Sequence, residues 1–174
     1  MPSPLGHTLA ALGLHLLTAT PEQLKHRLRI GVVVAAAVAP DLDLLLRFVD
    51  GRNHHQAESH SLGCAMLAGF AVWALARMRG WPRPGALGLL AFGGWLSHVL
   101  LDLLGRDTHP PIGVMALWPL SRGYYKFPWP VFMDIGRTLT WETAFHDALA
   151  MAWEMALVAP VVLLLWRLRA PSTR

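Results

Sequence analysis

Long apolar runs separated by short charged clusters set the pattern of this chain. Lys, Arg, Asp and Glu thin out in five stretches: 1–21 (apolar over 5–17), 30–49, 61–76, 84–101 and 148–166. A membrane-spanning helix needs ~20 mostly apolar residues, within roughly 17–25. The fourth and fifth stretches fit. The third fits after one more turn. The second has the length but carries Asp41, Asp43 and Arg47. The first is short and carries His7 and His15, which predicts a tilted or partly inserted helix. It lacks the basic start and the small-residue cleavage site of a signal peptide. The expectation is an all-α fold, a polytopic transmembrane bundle of about five spans, forming one membrane-embedded domain over 1–174.

Between the last two spans, residues 105–143 hold Pro110, Pro111, Pro119, Pro128 and Pro130, with Trp118, Tyr124, Tyr125, Trp129 and Trp141. Proline-broken, aromatic-rich sequence beside a span predicts a structured cap at headgroup level.

Composition supports the membrane class. Apolar residues make up 54% of the 174 and charged residues 15%, and the mean hydropathy is +0.39. Soluble domains carry roughly 25% charge, so this chain has too little to cover a water-facing surface. Disorder is excluded by the same comparison. One cysteine, Cys64, excludes a disulfide scaffold and a classical zinc finger. The net charge of +4 sits in clusters between the apolar runs. It speaks for topology and anionic headgroups rather than nucleic acid, and no nucleic-acid partner is expected.

With five crossings, Lys25, Arg27, Arg29, Arg77, Arg79, Arg83, Arg167, Arg169 and Arg174 share one side. Arg47, Arg52, Arg106, Arg122, Lys126 and Arg137 share the other. Nine against six makes the first side cytoplasmic. The expectation is a multi-pass protein of the cell inner (plasma) membrane, N-terminus outside and C-terminus cytoplasmic. The acids are more lopsided, because only Glu22 falls on the basic side. Orientation rules give acids little weight, so their asymmetry asks for a chemical cause.

That cause is a constellation. His7, Asp41, Asp43, His54, His55, Glu58, His60, His98, Asp102, Asp107, His109, His146 and Asp147 all fall towards the outer face, with Glu154 deeper. Ionisable residues in a membrane are costly and mark function by default. Converging His and Asp suit a divalent transition metal. His98 and Asp102, at i and i+4, share one helix face. Each group also has a plainer reading: a helix-end His bonded to its neighbouring Asp, an Asp capping a helix restarted at Pro40, a headgroup-level His60. One shared site accounts for all of them together.

The runs Gly6-His7, Pro40-Asp41-Leu42-Asp43, His55-Gln56-Ala57-Glu58-Ser59-His60-Ser61 and Ser97-His98-Val99-Leu100-Leu101-Asp102, with Gly113 to Ser121, resemble a family. It is that of the predicted membrane-bound metal-dependent hydrolases, YdjM-like inner-membrane proteins, some of them LexA-regulated. The family pattern has Arg, Gly and Thr where this chain has Gln56, Ala57 and Ser59. Arg52 or Arg106 are candidates for the missing arginine. The ligand order is also similar to that of the zinc phospholipase C and single-strand nuclease superfamily, by analogy only.

The resemblance implies a membrane-bound metal-dependent hydrolase acting on a phosphoester or lipid-like substrate through a metal-activated water. On that reading His7, Asp41, His60, His98 and Asp102 are the metal ligands. Asp43 is the proton acceptor, and His55 is a general acid or further ligand. The donor set favours zinc, with manganese the second fit. Glu154 is either an outer orienting group or a partner for a His or a Trp N–H. The alternative is a divalent-metal transporter or sensor without hydrolysis. The apolar cytoplasmic halves of the spans, 30–39, 66–76 and 158–166, favour a one-sided site. No His-Glu-x-x-His or Gly-x-Ser-x-Gly is present, which disfavours a zinc protease and a serine hydrolase.

Overall fold

The computed structural model describes residues 1–136 and 138–169, so Arg137 and Arg174 of the charge count lie outside the described residues. Six α-helices follow one another: α1 (Pro4–Thr18), α2 (Arg27–Val38), α3 (Arg47–Asp50), α4 (Leu62–Met78), α5 (Pro84–Leu103) and α6 (Trp141–Arg169). Short 3₁₀ turns occupy Pro21–Gln23 and Ala39–Leu45. Among the described residues no β-strand forms, and the class is all-α. Two isolated bridges, Gly105↔Phe132 and Val114↔Tyr125, lie in the connection before α6.

Local chemistry sets the helix ends. Ser3 caps α1, its hydroxyl accepting from the Gly6 N–H, and Pro4 opens the helix where its missing N–H costs nothing. Ser61 caps α4 through the Cys64 N–H. The apolar stretch expected over 30–49 does not form one helix. Pro40 lacks an N–H and its ring crowds the carbonyl four residues back, so the α ladder stops at Val38. The chain tightens into the 3₁₀ turn and then the four-residue α3, which Gly51 ends at φ +73°.

Among the described residues two helices are long and apolar enough to cross a membrane alone, α5 and α6. The 17-residue α4 is apolar but shorter, and α1 and α2 have 15 and 12 residues. At 1.5 Å per residue, α2 reaches only about 18 Å of a ~30 Å hydrocarbon core. The cap also ends earlier than expected, because α6 takes up Trp141 onwards.

The five longer helices alternate in direction, which gives the bundle two chemically different ends. At one end Arg169 donates to the Leu17 carbonyl (2.8 Å) and Arg29 to the Thr18 hydroxyl (2.6 Å). At the other end α1 begins, α2 runs into the 3₁₀ turn, α4 begins and α5 ends. The cap closes over this second end. Leu62 and Gly63 donate to the Ala116 and Trp118 carbonyls, and Phe127 and Val131 to those of Leu103 and Leu104.

The interior is small and polar, and the exterior apolar. Ala11, Val33, Ala37 and Leu90 form the hydrophobic centre where α1, α2 and α5 meet. The largest fully buried side chains are His7, His15, His60, His98, Gln56 and Glu154. Phe70, Met78, Leu89, Leu163, Leu164 and Trp166 face outward. This is the distribution of a protein solvated by lipid, where outward apolar side chains carry no penalty.

Glycine controls how closely α5 approaches α2. A Cβ on Gly94 would stand 2.7 Å from the Val33 carbonyl oxygen. One turn further along both helices, the His98 Nδ1 donates to the Ala37 carbonyl at 2.7 Å. Gly94→Val should therefore disturb the site without touching it. Overpacking of this kind costs about 1–3 kcal/mol. The expected outcome is retained helical circular dichroism with bound metal well below the wild-type level, read by elemental analysis. Wild-type metal content in that variant would refute the coupling.

Candidate metal centre

Four chain segments converge under the cap. α1 brings His7. The 3₁₀ turn after Pro40 brings Asp41 and Asp43. The loop before α4 brings His55 and His60, and the last turns of α5 bring His98 and Asp102. His7, His55, His60, His98, Asp43 and Asp102 are all buried, and Asp41 is the most accessible of the set.

His60 and His98 face the same two carboxylates. The Nε2 of His98 lies 3.1 Å from Asp102 Oδ2 and 3.5 Å from Asp41 Oδ1. The Nε2 of His60 lies 3.3 Å and 3.5 Å from the same two oxygens. Donors held at ~2.0–2.1 Å around a tetrahedral ion stand about 3.3 Å from one another. His7 adds its Nε2 at 3.4 Å from Asp102 Oδ1, with its ring stacked on His98 at 3.7 Å. The donors thus make two adjoining triads, His7–His98–Asp102 and Asp41–His55–His60. Either one crowded ion or two neighbouring ions fit this set.

Outer contacts fix which nitrogen faces inward. The Ala37 carbonyl can only accept, so His98 carries its proton on Nδ1 and presents the Nε2 lone pair. The Nδ1 of His60 faces Asp43 Oδ2 at 3.1 Å and the Ser59 hydroxyl at 3.0 Å, which again leaves Nε2 inward. Asp43 is fully engaged. Its Oδ1 accepts from His55 Nδ1 at 2.7 Å and its Oδ2 from the Ser59 hydroxyl at 2.5 Å. Trp95 holds the loop by donating to the Ser59 carbonyl at 2.8 Å.

The inward atoms are otherwise unsatisfied. His7 Nε2, His60 Nε2, His98 Nε2 and both Asp102 oxygens are buried without a hydrogen-bond partner. Buried polar atoms normally have partners, and each one left alone costs about 1–3 kcal/mol. A cluster of such atoms converging on one space fits an ion. The field has the matching sign. Burial opposes protonation of His60, yet the Asp41 and Asp43 carboxylates beside its ring, with Asp102 beyond, push its pKa up to about 10. The pocket demands positive charge, and these His and Asp groups could hold a metal ion.

Other members of the outer constellation have different duties. His146 bonds the Asp134 carbonyl, Asp147 accepts from the Gly136 N–H, and Asp107 accepts from the Gly113 and His109 N–H groups. These contacts staple the cap. His54 pairs with Asp50 on the surface at 2.6 Å. Glu154 touches neither a His nor a Trp N–H. Its two oxygens accept the Ser3 backbone N–H (2.8 Å) and hydroxyl (2.5 Å), which anchors the start of α1 one turn before His7.

Sequence reasoning passed over Ser59 and Ser3 as orienting groups, and over the Ala37 carbonyl. The serines had a signal, since Ser59 adjoins His60 and Ser3 stands at a helix-cap position. A backbone carbonyl has none.

No curated protein and no solved structure matches the chain. The family model described as YdjM inner membrane protein matches residues 1–172, nearly the whole sequence, and the chain belongs to that family.

Proposed function

We propose that this protein is a membrane-bound metal-dependent hydrolase that cleaves a phosphoester, with a lipid-like amphiphile as substrate. The observation that carries the reading is the convergence of unpartnered His7, His60, His98 and Asp102 atoms on one space. His7, Asp41, His60, His98 and Asp102 would hold the ion. Zinc suits the His-rich set and manganese is the second fit. When bound, a divalent ion lowers the pKa of a water from ~15.7 towards ~7 and polarises a phosphoryl oxygen.

The chain's own residues supply the rest. Asp43, read from sequence as the proton acceptor, already accepts from His55, His60 and Ser59. That geometry favours an orienting part for it and passes the acceptor role to His55. With Asp43 on Nδ1, the His55 Nε2 is left to take the proton of the attacking water. The ester P–O bond then breaks and the alcohol leaves with a proton from His55. The cap keeps bulk water from the centre.

Placement at one end of the bundle supports hydrolysis over metal passage, which needs polar groups through the full depth. We further propose that the chain crosses the bilayer five times, α2 completing its crossing together with the 3₁₀ turn Ala39–Leu45 that follows it. On this reading the metal end faces out, and the Arg29 and Arg169 end with the C-terminus faces the cytoplasm.

The test is metal analysis of detergent-purified protein beside His98→Ala. It is followed by hydrolysis of a panel of phospholipids and generic phosphodiesters, with and without chelator. Near-stoichiometric metal and chelator-sensitive turnover in wild type, both absent in His98→Ala, are expected. Metal-loaded wild type that is inert on the whole panel would overturn hydrolysis. Zinc or manganese uptake into proteoliposomes would put transport in its place.

A further inference from the structure

Beside the metal centre lies a cleft of about 270 Å³ with Asp43 in its wall and Arg47, Arg52, Asn53, His54 and His109 around it. This volume is just under the ~300 Å³ lower end of small-ligand pockets, so it suits a headgroup and not a whole lipid. Neither arginine side chain makes an ion pair or a hydrogen bond among the described residues. Arg47 instead lies over the ring of its neighbour Phe48, at 5.6 Å. The surface carboxylate of Asp50 is taken up by His54 (2.6 Å) and by the Arg52 backbone N–H (2.9 Å). Asn53 bonds the Pro110 carbonyl at 3.2 Å and ties this wall to the cap. The cleft therefore offers two guanidiniums without an ion pair or hydrogen bond among the described residues, Arg47 at the start of α3 and Arg52, whose charge reaches Asp50, on the braced loop after it. Its wall carboxylate, Asp43, is the one that holds His55 and His60.

Its surroundings give the cleft a depth. Phe48 and Val49, next to Arg47, are 80% and 83% exposed. Exposed apolar side chains beside arginines belong at the boundary of hydrocarbon and headgroups.

We infer that this cleft is the anion subsite for a phosphate group, in which Arg47 and Arg52 clamp the phosphate of the substrate next to the metal centre. The inference rests on the hydrolase reading for what happens to that phosphate, but binding can be measured without turnover. Arg is suited to the task because its planar fork meets phosphate oxygens two at a time.

The test uses the full chain in nanodiscs of zwitterionic lipid, titrated calorimetrically with inorganic phosphate and with water-soluble dihexanoyl phosphatidic acid. Arg47→Gln with Arg52→Gln should weaken binding of both probes about tenfold or more, with metal content equal to wild type. Arg47→Lys with Arg52→Lys, which keeps the charge and loses the fork, should fall between. Both side chains are exposed, so unchanged metal content also serves as the folding control. Phosphatidic acid at least tenfold tighter than phosphate identifies a lipid headgroup as the source. Equal affinities identify a free phosphate, and both results support the subsite. A double variant that binds phosphate like wild type overturns it. If binding ignores the arginines and vanishes in His98→Ala, the ion alone holds phosphate, and the subsite falls while the metal reading stands. Phosphate binding that persists in His98→Ala and is lost with the arginines supports the subsite even where no hydrolysis is found.

Discussion

Asp102→Ala should yield a folded protein that holds no metal and turns over nothing. Asp102 is the hub of the centre: Oδ2 faces His60 at 3.3 Å and His98 at 3.1 Å, and Oδ1 faces His7 at 3.4 Å. Among the described residues no other carboxylate faces three of the histidines. Its removal takes the carboxylate from the His7–His98–Asp102 triad, leaves His7 without a carboxylate partner and leaves His60 and His98 with Asp41 alone. It also removes charge that favours a cation, while Asp41 and Asp43 remain. The deletion leaves a space in a polar pocket rather than in the apolar centre of Ala11, Val33, Ala37 and Leu90, so the helices should still pack. The measurement is elemental analysis beside helical circular dichroism. Activity of the variant should lie at the chelated background even with millimolar zinc or manganese added. Wild-type metal in Asp102→Ala would mean that the convergence of these groups is a hydrogen-bonded cluster and not a metal centre.

The meeting of these residues was legible in the sequence to an uneven degree. The i, i+4 spacing of His98 and Asp102 gives one helix face directly, and the alternation of apolar runs assigns them to the same end as His7 and His60. Asp41 and Asp43 were harder to read. Two residues apart, they would diverge on an α-helix, and only the turn forced by Pro40 lets both reach His60, at 3.5 and 3.1 Å. The same proline explains why the stretch over 30–49 was overlong as a single element. Hydropathy registers Leu42, Leu44, Leu45 and Leu46 but is blind to a lost backbone donor. Periodicity assigns residues to an end of the bundle without giving depth. His146, Asp147, Asp107 and His109 therefore entered the same constellation, although they brace the cap. Depth is set by backbone contacts such as Val131 to Leu104, which have no side-chain signature.

Asp43→Asn separates binding from chemistry. The wild-type carboxylate accepts from three donors: His55 Nδ1, the Ser59 hydroxyl and His60 Nδ1. An amide has one oxygen and one NH₂. With its oxygen turned to Ser59 and His60, the NH₂ faces His55, whose Nδ1 must then accept. That moves the His55 proton to Nε2 and removes the lone pair proposed to take the proton of water. The His60 tautomer survives, so its Nε2 still faces inward, but the orienting charge is gone. Loss of such an outer partner typically weakens metal binding 10–100-fold. The variant should therefore fill with metal only at higher concentration. Once filled, it should still turn over 10²–10⁴-fold more slowly than wild type, the usual contribution of a positioned base. His55→Gln should show the same rate loss while the His7–His98–Asp102 triad, which does not include His55, keeps its ion. The decisive comparison is kcat at saturating metal for both variants. If Asp43→Asn recovers wild-type kcat once metal is saturating, Asp43 only holds the ion's ligands in place, and the proton must go elsewhere than His55.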